Sequence, residues 1–234
     1  EATERYAQEL NLSREAQDTF SAQSHERAAK AQKDGLFVDE ITPVVIPSRH
    51  GDDFVVAEDE GIRSDIDVDS LGRLAPAFEP NGNITAGNAS QISDGAAAVI
   101  VTTLDHADSL GIEPLAEIVS HGQVAGPDTS LLFQPSNAIK KSLQNTDLSL
   151  SDLELFEINE AFAAVALAST KDLGVPDDIV NVNGGAIALG HPIGMSGTRV
   201  ALTLALELKR QGGGLGAAAL CGGGGQGEAL VLKV

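Results

Sequence analysis

The single cysteine of the chain has neighbours that suit thiol chemistry. Cys221 ends an apolar stretch and is followed directly by the glycines at 222–225. A lone cysteine at the end of an apolar strand is more often an inert core residue than a catalyst. Backbone N–H groups left bare by glycine can, however, stabilise an oxyanion beside a sulfur atom, and a structural thiol has no need of them. The glycine run therefore favours a catalytic thiol.

His191 is the histidine best placed to act as a general base. It lies between Gly190 and Pro192, which restrict the backbone, and just before a predicted helix whose N-terminal dipole favours the neutral imidazole. The other histidines have ordinary surroundings in the sequence: His25, His50, His106 and His121. One cysteine and one well-placed histidine are fewer than the protein ligands that zinc requires, so no metal site is predicted.

The glycines after Cys221 also match the dinucleotide fingerprint G-x-G-x-x-G, through Gly222, Gly224 and Gly227. That fingerprint needs a helix next, so that the helix N-terminus can face the pyrophosphate. The few residues that follow Gly227 are instead typical of a strand. A tight turn that brings the backbone close to a ligand is the better interpretation, and the absence of a Gly-Lys-Ser/Thr triplet excludes a P-loop.

The elements that must position these residues alternate between helices and apolar strands. The first 33 residues predict two helices with a break at 11–13 and Ser13 as the second N-cap, and short strands at 42–46 and 54–56 follow in an exposed acidic excursion. Further on, the patterns predict strands at 96–103, 115–120, 153–158 and 179–183, helices at 135–143, 160–173 and 194–211, and a closing hairpin of 215–221 with 228–233. The alternation indicates an α/β layered domain with both sheet faces covered.

Composition limits the classes of partner. The 234 residues carry 15 Lys and Arg against 34 Asp and Glu, a net charge of −19, which argues against nucleic-acid binding and against docking on anionic lipid. No apolar run approaches the roughly 18 residues of a membrane span. A single cysteine excludes an internal disulfide and suggests a reducing compartment.

Four segments resemble the signatures of the thiolases, the acetyl-CoA C-acyltransferases, and they occur along the chain in the same order as in that family. The three C-terminal ones are Asn159-Glu-Ala-Phe162, Gly190-His-Pro-Ile-Gly194 with Ser196-Gly197, and Cys221-Gly-Gly-Gly-Gly-Gln-Gly227. The fourth, at 85–95, is similar to the segment that lines the pantetheine tunnel. The resemblance runs from about residue 1 to the C-terminus.

The resemblance implies a thiolase-like layered α/β sandwich, of which this chain would supply the C-terminal half-domain and part of the inserted loop domain. Residues 1–71 would be the remainder of the loop domain, which covers coenzyme A. Residues 72–234 would be the C-terminal half-domain, with 72–95 as its linking and pantetheine-lining segment.

The resemblance also assigns roles to five residues. His191 would be the base that activates a nucleophilic cysteine, and Cys221 the acid/base that takes a proton from the α-carbon of acetyl-CoA. Asn159, holding a water, would form one oxyanion hole with His191, and the backbone N–H of Gly223 would contribute to the other. Ser90 would contact the pantetheine arm. Coenzyme A and acyl-CoA enter as substrates, and no further cofactor is implied.

The implied activity is the reversible Claisen condensation of two acetyl-CoA, or of acetyl-CoA with an acyl-CoA, and the CoA-dependent thiolysis of the product. This chemistry belongs to fatty acid metabolism. Thiolases carry their acylated cysteine on the N-terminal half, and Cys221 is the only cysteine here. We therefore expect the chain alone to be inactive and to work with an N-terminal half, in a homodimer or homotetramer. The C-terminus is no peroxisomal address and no signal peptide is seen, so the expected compartment is the cytoplasm.

Three other interpretations remain open at this stage. A non-catalytic CoA-binding or dimerising module would keep the fold and leave His191 and Cys221 as relics. Ketoacyl synthases share the sandwich but generally use two histidines in this half. A hydrolase with Cys221 as its lone nucleophile would lack a helix N-terminus to lower the pKa of the thiol. The motifs report the reaction and leave the acyl chain length undetermined.

Overall fold

Two consecutive helices open the chain, as the sequence predicts. In a computed structural model that describes residues 1–234, α1 spans Ala2–Glu9 and α2 spans Arg14–Lys33. Ser13 caps α2, because its hydroxyl accepts a hydrogen bond from the Ala16 N–H at 3.1 Å. Lysines in the last turn of α2 complement the helix dipole there.

The excursion after α2 is a small exposed ribbon. Strand β1 (Val44–Ile46) pairs antiparallel with β2 (Phe54–Val56), which confirms the two predicted short strands. The chain then forms α3 (Val68–Gly72), whose N-cap Asp67 makes a reciprocal capping box with Ser70. Arg14 of α2 donates to the Leu71 carbonyl at 2.6 Å and so fastens α3 to the helical part.

One four-stranded mixed sheet forms the centre of the molecule. Its strands are β3 (Glu117–Ala125), β4 (Leu155–Ile158), β5 (Leu215–Gly222) and β6 (Gln226–Lys233), in the spatial order β3-β6-β5-β4. Strand β6 runs antiparallel to both of its neighbours, and β4 runs parallel to β5. The closing hairpin β5–β6 is confirmed, and the strand after Gly227 excludes the dinucleotide fold.

Helices cover both faces of this sheet. On one face, α5 (Gln134–Leu143) and α6 (Ala163–Leu173) pack over Phe156, Ile158 and Val231. On the other face, α8 (Ser196–Arg210) packs with Val200, Leu204 and Leu208 against strand residues whose side chains point to that face. These strand residues are Leu155, Ala218 and Leu232. The remaining α-helices are α4 (Leu104–Leu110) and α7 (Ala186–Leu189). Every helix is too short or too polar to span a membrane. The predicted α/β layering is confirmed.

The predicted buried strand at 96–103 is wrong for this chain. These residues form no regular element, pair with no strand and are exposed, with Ile100 at 95% and Val101 at 71% of full exposure. The apolar run has the composition of a buried strand, but burial also needs a neighbouring strand for its N–H and C=O groups. No strand of the sheet formed by 117–233 pairs with it.

One predicted strand and the predicted start of one helix, both next to β4, are also wrong. Residues 179–183 make only an isolated bridge, between Val180 and Phe156, because Asn181 adopts a positive φ of 48° that interrupts the extended backbone. Helix α6 begins at Ala163 and not at 160, because Phe162 is still extended. The corner between β4 and α6 is therefore longer than predicted, and it carries the polar residues described next.

Candidate active site

Asn159 and His191 meet at the carboxyl end of β4. Asn159 follows Ile158 directly, is fully buried, and donates its backbone N–H to the Ala219 carbonyl of β5 at 2.9 Å. Its side-chain Nδ2 lies 3.2 Å from Nε2 of the half-buried His191. The structure thus brings these two predicted site residues, 32 positions apart in the chain, into hydrogen-bond contact.

The neighbours of His191 determine which ring nitrogen carries the proton. Ser196 Oγ lies 3.0 Å from the Pro192 carbonyl, to which the hydroxyl can only donate, and 2.6 Å from Nδ1 of His191. With the hydroxyl proton assigned to the carbonyl, the ring Nδ1–H is the donor to Oγ. Nε2 then keeps its lone pair and accepts from Asn159. Burial, with a further contribution from the positive charge of Arg199, lowers the pKa of His191. The lowered pKa favours the neutral imidazole, and with the proton assigned to Nδ1 the lone pair lies on Nε2.

Cys221 lies at the same end of the sheet. It is the last residue but one of β5, lies two residues beyond Ala219, which accepts from the Asn159 N–H, and is 8% exposed. Its surroundings are apolar, since it belongs to a cluster with Ala161 and Val165 beside α6. Burial raises the pKa of the Cys221 thiol to about 11, so the group is a neutral thiol at pH 7.

The glycines after Cys221 form the tight β5–β6 turn. Gly224 and Gly225 have φ values of +85° and +79°, and a Cβ on Gly225 would overlap the carbonyl oxygen of Asp128. The Gly126 N–H donates to the Gly225 carbonyl at 2.8 Å, which fixes the turn against the loop before α5. Between these anchors, the Gly223 N–H donates to no acceptor within the chain. This donor is available to a bound oxyanion.

Ser90 lies beside the same corner. The segment 85–95 is joined to it by the Ser90 N–H, which donates to the Ala161 carbonyl at 3.1 Å, and by the Ala163 N–H, which donates to the Asn88 carbonyl at 2.9 Å. Ser90 itself is half-buried. The predicted substrate-lining segment therefore runs next to the residues predicted to do chemistry.

Sequence reasoning singled out neither Ser196 nor Glu160 for a role of its own. Ser196 selects the ring tautomer of His191, and the signal was its place at the predicted helix start, five positions after the histidine. Glu160 is 1% exposed and has no cation in hydrogen-bond contact. The signal for Glu160 is an acidic residue between a buried strand and an apolar helix, because burial of a carboxyl group costs free energy unless it has hydrogen-bond partners. No group of three His, Cys, Asp or Glu side chains is arranged to hold a metal ion.

The raised pKa of Cys221 predicts its reactivity toward alkylation. The rate of iodoacetamide modification of the Cys221 peptide should keep rising about tenfold per pH unit through pH 10, because the thiolate fraction below the pKa grows in that proportion. Mass spectrometry of digests after timed labelling measures this rate. A plateau near pH 9, the ordinary thiol value, would show that burial does not perturb this cysteine.

Two family models match the chain, one after the other. "Thiolase, N-terminal domain" matches residues 1–105, and "Thiolase, C-terminal domain" matches residues 112–234. A probable acetyl-CoA acetyltransferase of Mycolicibacterium smegmatis is 61% identical over 222 residues, which are 95% of this chain and 57% of that protein. The chain thus spans little more than half the length of the curated relatives it matches.

Solved structures give the same result at the level of the fold. The crystal structure of the Bacillus anthracis acetyl-CoA acetyltransferase superposes with a TM-score of 0.95 at 42% identity, covering 100% of this chain and 59% of that one. The crystal structure of human mitochondrial 3-ketoacyl-CoA thiolase gives a TM-score of 0.94 at 39% identity, covering 99% and 58%.

Proposed function

The chain belongs to the thiolase family and has its fold, and on that premise we propose that it supplies the acid–base residues of a thiolase-type acyltransferase. The reaction is the reversible Claisen condensation of acetyl-CoA with acetyl-CoA or a longer acyl-CoA, and the CoA-dependent thiolysis of the 3-ketoacyl-CoA. The observation that carries the proposal is the contact of Asn159 Nδ2 with His191 Nε2 at 3.2 Å.

His191 acts first, as the base. Its neutral Nε2 takes the proton of a cysteine thiol, which then attacks the thioester carbonyl and forms an acyl-enzyme. When an enolate later forms, a protonated Nε2 becomes a donor to its oxygen. Asn159 has a buried Oδ1 without a hydrogen-bond donor in the chain, which suits a residue that holds a water beside that oxygen.

Cys221 acts as acid and then as base. A neutral thiol can donate its proton to the departing CoA thiolate, which leaves Cys221 as a buried thiolate. Because burial raises the pKa of the Cys221 thiol, the thiolate is a stronger base than a solvated one. That basicity is what removal of an α-proton from acetyl-CoA needs, since such a proton is only weakly acidic. The new carbanion attacks the acyl carbonyl on the other cysteine, the C–S bond of the acyl-enzyme breaks, and the released thiolate takes back the proton held on His191.

Gly223 and Ser90 complete the proposed machinery. The unpaired Gly223 N–H would stabilise the oxyanion of the acyl group on the other cysteine. The Ser90 hydroxyl would bind the pantetheine arm, along a segment that is fixed to the Asn159 corner.

The acylated cysteine must come from outside these 234 residues, because Cys221 is their only cysteine and is already assigned. We propose that an N-terminal half of the complete protein supplies it, and that this chain alone is inactive. The complete enzyme is proposed to be a cytoplasmic homodimer or homotetramer. A CoA-binding module without catalysis is the alternative, and the exposed stretch at 96–103 is compatible with either.

Thiolysis by the complete protein tests this proposal. Acetoacetyl-CoA and CoA should give two acetyl-CoA, and a longer 3-ketoacyl-CoA assayed in parallel reports chain-length preference. Calorimetric titration with CoA is the control for binding. Tight CoA binding without turnover of any 3-ketoacyl-CoA would contradict the enzyme and support the binding module.

A further inference from the structure

His191 is presented by a helix too short to be stable alone. Helix α7 (Ala186–Leu189) has only four residues and leads through Gly190 directly into His191. A single turn of helix has no intrinsic stability in water, so contacts from outside must hold it. Those contacts therefore also decide where the imidazole lies.

The N-terminal end of α7 is held by a buried carboxylate. Glu160 Oε2 accepts from the Ile187 N–H at 3.0 Å and from Ser24 Oγ at 2.6 Å, and Ser24 Oγ in turn accepts from the Gly185 N–H at 3.1 Å. The other carboxylate oxygen accepts from Asn181 Nδ2 at 2.9 Å. A Cβ on Gly185 would overlap the carboxylate, so glycine is required for this close approach.

The C-terminal end of α7 is held by a side-chain amide. Gln91 Nε2 lies 3.0 Å from both the Ile187 and Ala188 carbonyls and 2.9 Å from the Gly61 carbonyl, so its two protons are shared among three acceptors. The free carbonyls at the end of the helix are thus satisfied without a following turn. Both ends of α7 are fixed, and Glu160 is the contact that joins it to β4.

We propose that Glu160 is a positioning residue that sets the place of His191 relative to Asn159. Glu160 follows Asn159 in the chain and binds the helix that carries His191, so one side chain connects both members of the pair. The inference rests on the proposed function for its catalytic consequence. Its geometric content, the orientation of His191, can be measured without turnover.

Substitutions at Glu160 in the complete protein test this role. Glu160→Ala removes the acceptor for three donors, and kcat for thiolysis should fall about 100-fold while KM for CoA stays within about threefold, because displacement of a catalytic group by about 1 Å costs about that much. Glu160→Gln keeps one acceptor for α7 but places an NH₂ against Asn181 Nδ2. Because the bond to the Ile187 N–H is kept, Glu160→Gln should recover most of kcat.

Glu4→Ala is the matched control. Glu4 is also a fully buried carboxylate that accepts from two backbone N–H groups, those of Asn83 and Ile84, and it touches neither α7 nor Asn159. It should lower the melting temperature as much as Glu160→Ala while leaving kcat within about twofold, because a lost buried hydrogen bond costs stability wherever it lies. Equal losses of kcat in both variants would reduce Glu160 to a structural residue and overturn the proposal.

The histidine ring gives a readout independent of activity. Side-chain ¹⁵N NMR of histidine-labelled protein, with His191 assigned by His191→Gln, should show the Nδ1–H tautomer in the parent and a mixture in Glu160→Ala. If the parent turns nothing over and this shift still occurs, the proposed function fails and the positioning role stands. If the parent is active and the tautomer and kcat of Glu160→Ala are unchanged, the positioning role fails.

Should Glu160→Ala not fold, Ser24→Ala carries the same test with a smaller expected effect, about tenfold in kcat.

Discussion

Cys221→Ser in the complete protein is expected to slow condensation by about 1,000-fold or more while acyl-enzyme formation remains within about tenfold of the parent, in keeping with the size of general acid–base effects. A serine hydroxyl is a far weaker acid than a thiol and provides no alkoxide to remove the α-proton of acetyl-CoA. It can still occupy the site between β5 and α6, since oxygen is smaller than sulfur.

The two half-reactions can be measured separately. Mass spectrometry after mixing with acetyl-CoA follows acylation, and exchange of the acetyl-CoA methyl protons into deuterated water follows proton removal by Cys221. Loss of exchange with retained acylation is the expected pattern, and a melting temperature close to that of the parent is the control for folding. Equal loss of both half-reactions would overturn the acid/base assignment.

His191→Ala is expected to lower the rate of acylation itself by about 100-fold to 10,000-fold, since the base that activates the nucleophile is removed. The substitution also leaves Ser196 Oγ and Asn159 Nδ2 without their ring partner. His191→Gln is the appropriate companion, because it restores hydrogen-bonding groups near both neighbours but no base. The acyl-enzyme should be absent from both variants.

Rapid mixing with acetyl-CoA followed by acid quench and intact mass analysis measures this outcome. CoA binding, measured by calorimetry in the same variants, should be largely preserved because His191 is assigned no contact with the nucleotide. An acyl-enzyme that forms at the parent rate in His191→Gln would remove this residue from the role of base.

The alternative of a CoA-binding module makes the opposite prediction for both substitutions. If the site only binds CoA, neither Cys221→Ser nor His191→Ala has a half-reaction to lose. The lowered pKa of His191 and its contacts with Asn159 and Ser196 favour the enzyme, since a binding module has no use for a base held by two hydrogen bonds.

Local sequence signals predicted the elements that depend on local interactions. Ser13 was identifiable as an N-cap from its neighbours, and the β5–β6 hairpin from two apolar runs around a glycine turn. The stretch at 96–103 was predicted wrongly for the opposite reason, because pairing depends on a second strand that the pattern of the run itself does not specify. The predicted strand at 179–183 does not form because Asn181 has a positive φ. Asparagine tolerates this conformation, but the presence of an asparagine does not predict it.

The candidate site was predictable in its residues and not in its connections. The motif resemblance named Asn159, His191 and Cys221, but the tautomer of His191 depends on Ser196, and its placement on Glu160. Glu160 and Ser24 are 136 positions apart in the chain, so no spacing rule could have paired them. The long-range hydrogen bonds that orient a site follow from the tertiary fold.

Peptide mapping of the acyl-enzyme tests the central claim most directly. The complete protein is mixed with acetyl-CoA, quenched in acid and digested, and each cysteine peptide is examined for one added acetyl group. We predict that the acetyl group is found on a cysteine outside residues 1–234 and that Cys221 remains a free thiol. An acetyl group on Cys221 would contradict the account, because Cys221 would then be the nucleophile and not the acid/base.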